Sequence, residues 1–158
     1  LQRLRGRRQM CKRDTASTTR IVVHCAATRP GQDIGAADID RWHRDRGYVS
    51  IGYHFVIRLD GTVEKGRDVD AIGAHASGHN ADTVAICLVG GLDKNGKSLR
   101  GKPEQVYNED QLQSLAEVIL ELRRKYGKLP VVGHRDLPNV RKDCPCMDVA
   151  TYLKDRNL

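Results

Sequence analysis

Long apolar runs are missing from this 158-residue chain. No stretch approaches the ~20 residues that a membrane-spanning helix requires, so no membrane insertion is expected. The N-terminus also lacks the apolar core of a secretory signal, which predicts a protein made and folded in the cytoplasm. An even set of cysteines is missing too. Five cysteines do not build a disulfide framework, and reduced thiols, at least one with a task, are expected instead. There is no CxxC pair and no HExxH helix, so the short zinc signatures are absent. No internal repeat and no composition break marks a second domain, and the length suits one domain.

Charge is concentrated rather than spread. The formal net charge is +7. Residues 1–20 hold Arg3, Arg5, Arg7, Arg8, Lys12, Arg13 and Arg20 against Asp14 alone, which is +6. The body is left with 20 basic and 19 acidic groups and is almost neutral. Residues 1–19 therefore read as a basic, disordered segment, and residues 20–158 as the folded domain. A leading basic run can touch an anionic surface; the plainer reading, a solvated tail, is preferred.

What is present is an alternation of strand and helix signals. Arg20–Cys25 (RIVVHC) reads as a buried strand after a polar stretch. Thr28–Asp33 is loop. A helical pattern from Gly35 to Arg46 sets Ile39, Trp42 and His43 on one face, with Gly47 as its stop. Ile51–Leu59 reads as a second strand, Asp60–Gly61 as a hairpin turn, and Thr62–Lys65 as the return. Thr83–Val89 is a central strand, and 93–107 a polar surface loop. Asn108 with Gln111 forms a capping box for a helix over Glu109–Tyr126. Leu112, Leu115, Ile119, Leu122 and Tyr126 make its apolar stripe. Pro130–Gly133 is a last short strand, and Asp148 caps a final helix to about Arg156. The fold class is α/β: one domain with a central mixed β-sheet flanked by helices.

Two histidines mark strand ends, where functional groups of α/β folds collect. His24 closes the first strand and His134 follows the last. Cys144 comes ten residues after His134 in GHRDLPNVRKDCPC, a loop that starts at the same edge. If those strands are neighbours, two imidazoles and a thiolate converge. Zinc suits that donor set, and three protein ligands plus water is the catalytic arrangement. A strand histidine is more often a hydrogen-bonded core residue, and spacing alone leaves both readings standing.

The motifs HCAATRP, DIGAADIDRWH, GYHFVIRLDGTVEKGRD, GAHASGHN, CLVGGLD, the DQLQSLAEVI helix and GHRD…KDCP follow one another in order from Arg20 to Leu153. Together they resemble the type-2 N-acetylmuramoyl-L-alanine amidases, and among these the small phage lysozymes. The resemblance implies zinc ligands at His24, His134 and Cys144, and catalytic roles for Tyr53 and Lys142. It implies a substrate-groove position for His75, and bacterial peptidoglycan as substrate. It also implies residence in a host cytoplasm until release to the cell wall, and for some members a second partner, a single-subunit phage RNA polymerase. A monomer is expected. Two stretches depart from the family pattern. The segment between His134 and Lys142 is two residues longer, and the 93–107 loop is longer and more polar.

The chemistry is coherent with those residue types. Amide hydrolysis needs a nucleophile at neutral pH and a place for negative charge, and zinc supplies both. One thiolate ligand leaves the zinc unit at a single positive charge, so a second cation, Lys142, would assist the oxyanion. No glutamate stands beside a ligand, which makes Tyr53 the candidate proton-handling group. His54, adjacent to Tyr53 on a strand, should face the other way. His43 reads as a packing or surface residue, and His79 stays unassigned. Cys25 and Cys87 read as core thiols, Cys146 as buried or a spare ligand, and Cys11 as an exposed tail thiol. Three rival functions are weighed: a cysteine hydrolase with Cys144 as nucleophile and His134 as base, a non-catalytic peptidoglycan-binding module, and polymerase inhibition.

Overall fold

The computed structural model describes residues 17–158, and the basic segment and Cys11 lie almost wholly or wholly outside that range. Near its start Thr18 is buried, and the Thr19 N–H donates to Asp82 O at 2.8 Å.

Five strands form one sheet in the order β3-β2-β4-β1-β5. They are β1 (Arg20–Cys25), β2 (Phe55–Ile57), β3 (Val63–Lys65), β4 (Thr83–Leu88) and β5 (Val131–Gly133). β1 runs parallel to both β4 and β5, β4 runs parallel to β2, and only the β2–β3 hairpin is antiparallel. The sheet is mixed, as expected. The two central strands are covered on both faces, which is why RIVVHC and TVAICL are almost continuously apolar instead of alternating. The hairpin turn ends on Gly61, whose φ of +86° would strain a side chain.

Helix α3 (Glu109–Tyr126) covers one face. Its Leu112, Leu115, Ile119 and Leu122 pack on Ile21, Val23, Val84, Ile86 and Leu88, and α4 (Val149–Asp155) adds Val149 and Tyr152. Each such side chain contributes about 1.5–3 kcal/mol on leaving water. The capping box is formed: Asn108 Oδ1 accepts from Gln111 N–H at 2.9 Å. Gln111 is itself buried and donates from Nε2 to Val89 O at 2.8 Å, tying the helix start to the end of β4. On the opposite face α1 (Ala36–Asp45) buries Ile39 against Val56, Cys87 and Val89, while Val22 meets Ala76 and Leu137.

Three sequence expectations are revised here. The strand expected over Ile51–Leu59 pairs as regular β-structure only at Phe55–Ile57. Its first half is drawn to α1: Asp40 Oδ1 accepts from Ile51 N–H at 2.8 Å, and His43 Nδ1 from Gly52 N–H at 2.9 Å. Gly52 lies so close to Ala74 that a Cβ would collide with its carbonyl. Within the 93–107 loop, Pro103–Val106 forms a short helix, α2. Four residues are too few to show a helical period, and Pro103 at its first position is the one local cue. Trp42 lies at the solvent edge, 36% exposed, while Ile39 and His43 take the buried face of α1.

Candidate metal and active site

The pairing of β1 with β5 builds the centre. The ladder matches Ile21 with Val131 and Val23 with Gly133, so the next step along both chains sets His24 beside His134. Their ring centroids are 4.4 Å apart. A 3-10 turn (His134–Asp136) follows β5, with Asp136 Oδ2 accepting from Gly133 N–H at 2.7 Å. The turn fixes where His134 leaves the strand. The loop then folds back: Arg135 N–H donates to Cys144 O at 2.8 Å, which returns Cys144 to the histidine it left ten residues earlier. Leu137 anchors this loop in the core. Pro138 and Asn139, the latter at φ +64°, turn it in the Pro-then-positive-φ pattern of a type II turn.

One ligand atom each from His24, His134 and Cys144 lies within 4.8 Å of the others. Cys144 Sγ is 3.9 Å from His24 Nδ1. A tetrahedral zinc with bonds of about 2.05 Å to nitrogen and 2.3 Å to sulfur needs roughly 3.6 Å between such atoms, so the donors fit. The Cys25 N–H donates to Cys144 Sγ at 3.1 Å, which helps to hold the sulfur in place beside His24. Burial is the main cause that holds His24 well below the ordinary histidine range, followed by the charges of His75, His134 and Lys142. Burial and then Lys142 lower His134. Both imidazoles are thus kept neutral, the state in which they ligate metal.

The sequence-named residues meet in one place. His24, Tyr53, His75, His134, Lys142 and Cys144 line a hollow of about 260 Å³. The Tyr53 ring is 5.0 Å from that of His24. Burial, then nearby cysteines, push its hydroxyl well above the usual range, so it is protonated at neutral pH. His75 Nδ1 lies 2.8 Å from His24 Nε2. The same hollow continues into a groove of about 760 Å³ between the His75–Asn80 loop and the Pro138–Lys142 loop.

The remaining polar residues sort clearly. His54 faces away: its Nδ1 accepts from Ala85 N–H and its Nε2 meets Ala71 O. His43 is buried, and it also borders the hollow together with Tyr48 and Arg46, a contribution the sequence did not reveal. The four described cysteines form no disulfide. Cys146 is buried with its sulfur 4.0 Å from that of Cys25. The Cys25 thiol is pushed up to about 12, first by its hydrogen bond with Cys144, so it stays neutral beside the donor set. Two further residues went unnoticed in the sequence. Tyr107 donates to Pro145 O at 2.6 Å and fixes the Cys144 loop from below. Thr83 bonds His75.

Comparison with known proteins meets this geometry from another side. A family model described as N-acetylmuramoyl-L-alanine amidase matches residues 14–147. The endolysin of Enterobacteria phage K11 is 41% identical over 141 residues, covering 89% of each chain. The endolysin of Escherichia phage T7 is 39% identical over 142 residues, covering 90% of this chain and 89% of that one. Among solved structures, the endolysin amidase LysCS of Clostridium intestinale URNW superposes with a TM-score of 0.75 at 27% identity, over 94% of this chain and 89% of that one. The fold is thus shared with a solved amidase, and the chain belongs to the N-acetylmuramoyl-L-alanine amidase family.

Proposed function

We propose that this enzyme cuts the amide between N-acetylmuramic acid and L-alanine in bacterial peptidoglycan, with one zinc ion held by His24, His134 and Cys144. The observation that carries the reading is the meeting of these three donors in a hollow that Tyr53 and Lys142 also line. When bound, zinc supplies an activated water and a polarised carbonyl. The chain's own groups do the rest. Lys142 stabilises negative charge on the carbonyl oxygen as the amide carbon becomes tetrahedral. Tyr53 acts as a donor, since its hydroxyl keeps its proton at working pH. The adjoining groove is of a size to hold a sugar–peptide substrate.

Mass spectrometry of digested cell walls tests the bond. Released stem peptides with a free alanine amine are expected; new reducing sugar ends would contradict the reading. A cysteine nucleophile makes a different prediction, activity that survives chelation. Loss with chelator and recovery with zinc is the outcome expected here. A pure binding module would release nothing from the wall. The polymerase partner implied by the resemblance is a separate matter, read by pull-down against a single-subunit phage RNA polymerase.

A further inference from the structure

Thr83 opens β4 and is fully buried. Its hydroxyl carries one proton, and it gives that proton to His79 O at 2.6 Å. Toward His75 Nε2, 3.0 Å away, Thr83 Oγ1 therefore offers a lone pair, and Nε2 must be the protonated nitrogen. A neutral His75 then accepts at Nδ1, which lies 2.8 Å from His24 Nε2. His24 must donate from Nε2, which leaves the lone pair on Nδ1. That is the atom 3.9 Å from Cys144 Sγ. The direction of one threonine hydroxyl thus sets the tautomer of a metal ligand two groups away.

We infer that Thr83 and His75 form a positioning relay that holds His24 as the Nε2–H tautomer, its Nδ1 lone pair presented to the metal. The inference rests on the zinc site proposed above and assigns His75 a role through His24. The relay is fixed by its backbone as well. His75 N–H and Ala76 N–H both donate to Asn80 Oδ1 at 2.9 Å. A Cβ at Gly73 would press on the His75 ring at 2.8 Å. Thr83 itself is paired with Arg20 across β1 and β4. Partners of this kind set the tautomer and orientation of ligating histidines, and their loss costs roughly 10- to 100-fold in metal affinity.

Long-range 1H–15N correlation on the unmodified protein, zinc-free and zinc-loaded, reads the tautomers directly. Both His24 and His75 should appear as Nε2–H in each form. An Nδ1–H on either ring in the zinc-free protein overturns the relay, because a doubly protonated His75 would place the proton of His24 on the ligating atom. Zinc affinity by chelator competition gives the second readout, on variants first checked for folding by circular dichroism. Thr83→Val and His75→Phe should each bind roughly 10- to 100-fold more weakly, and Thr83→Ser, which keeps the oxygen, should bind within about threefold of the parent. Parent-like affinity in a folded Thr83→Val overturns the proposal. A parent that binds no zinc would sink the metal reading itself, while the zinc-free spectra still decide the relay.

Discussion

Replacing Lys142 by Met removes a cation and keeps nearly the same length and apolar stem. Lys142 lines the hollow shared by His24, Tyr53, His134 and Cys144, and its charge is felt at both histidines. Two independent arguments size the effect. Loss of one preorganised oxyanion donor costs about 2.7–4 kcal/mol in other hydrolases. Unit charges about 4 Å apart at an effective dielectric of about 20 interact by about 4 kcal/mol. Both point to a fall of roughly 10²- to 10³-fold in kcat. Zinc content should be unchanged, since Lys142 is no ligand and its removal takes away a charge that repels the cation. KM should move little, because the interaction belongs to the transition state. A soluble muropeptide assay with metal analysis on the same sample separates these quantities. Zinc-loaded Lys142→Met working within threefold of the parent would refute the role and, with it, the need for a second cation beside a thiolate-ligated zinc.

Further predictions follow the same geometry. Tyr53→Phe keeps the ring that packs near His24 and should keep zinc, but lose at least ~100-fold in kcat if the hydroxyl is the proton donor; wild-type turnover would remove it from the mechanism. Tyr107→Phe strips the buried Pro145 carbonyl of its 2.6 Å donor and should cost about 1–3 kcal/mol by denaturant titration, with no loss indicating that water replaces the hydroxyl. In zinc-free protein, His24, His43 and His134 all sit below the ordinary histidine value of about 6.5, chiefly through burial. The unfolded chain then binds more protons than the folded one below that value. Stability should be full above about pH 6.5 and decline as pH falls toward the lowered folded values, by up to about 1.4 kcal/mol per pH unit for each histidine held neutral. A flat stability profile from pH 7 to 5 would show that these rings are not held neutral.

Much of this was legible in the chain. Arg20–Cys25 and Glu109–Tyr126 have the bounds read from their patterns, because a fully buried strand and a capped amphipathic helix are written in local residue order. The donor set was legible only as a condition. His24 and His134 stand 110 positions apart in the sequence, and what joins them is the parallel pairing of β1 with β5, which no local pattern states. The supporting groups were not legible. Thr83 begins a run of buried residues and looks like part of a strand, not a hydrogen-bond partner. Tyr107 ends a polar stretch, and its partner is 38 residues on. Ile51–His54 carries a strand-like pattern that contacts from Asp40 and His43 override. In each case the missing information is which group elsewhere in the chain supplies the hydrogen-bond partner.

Zinc K-edge absorption on purified protein, with metal content measured on the same sample, tests the central claim most directly. One zinc per chain with a single sulfur neighbour near 2.3 Å and nitrogen or oxygen neighbours near 2.0–2.1 Å is expected, with the sulfur signal gone in Cys144→Ala. An active enzyme without zinc, or a zinc whose sulfur signal survives that substitution, would contradict it.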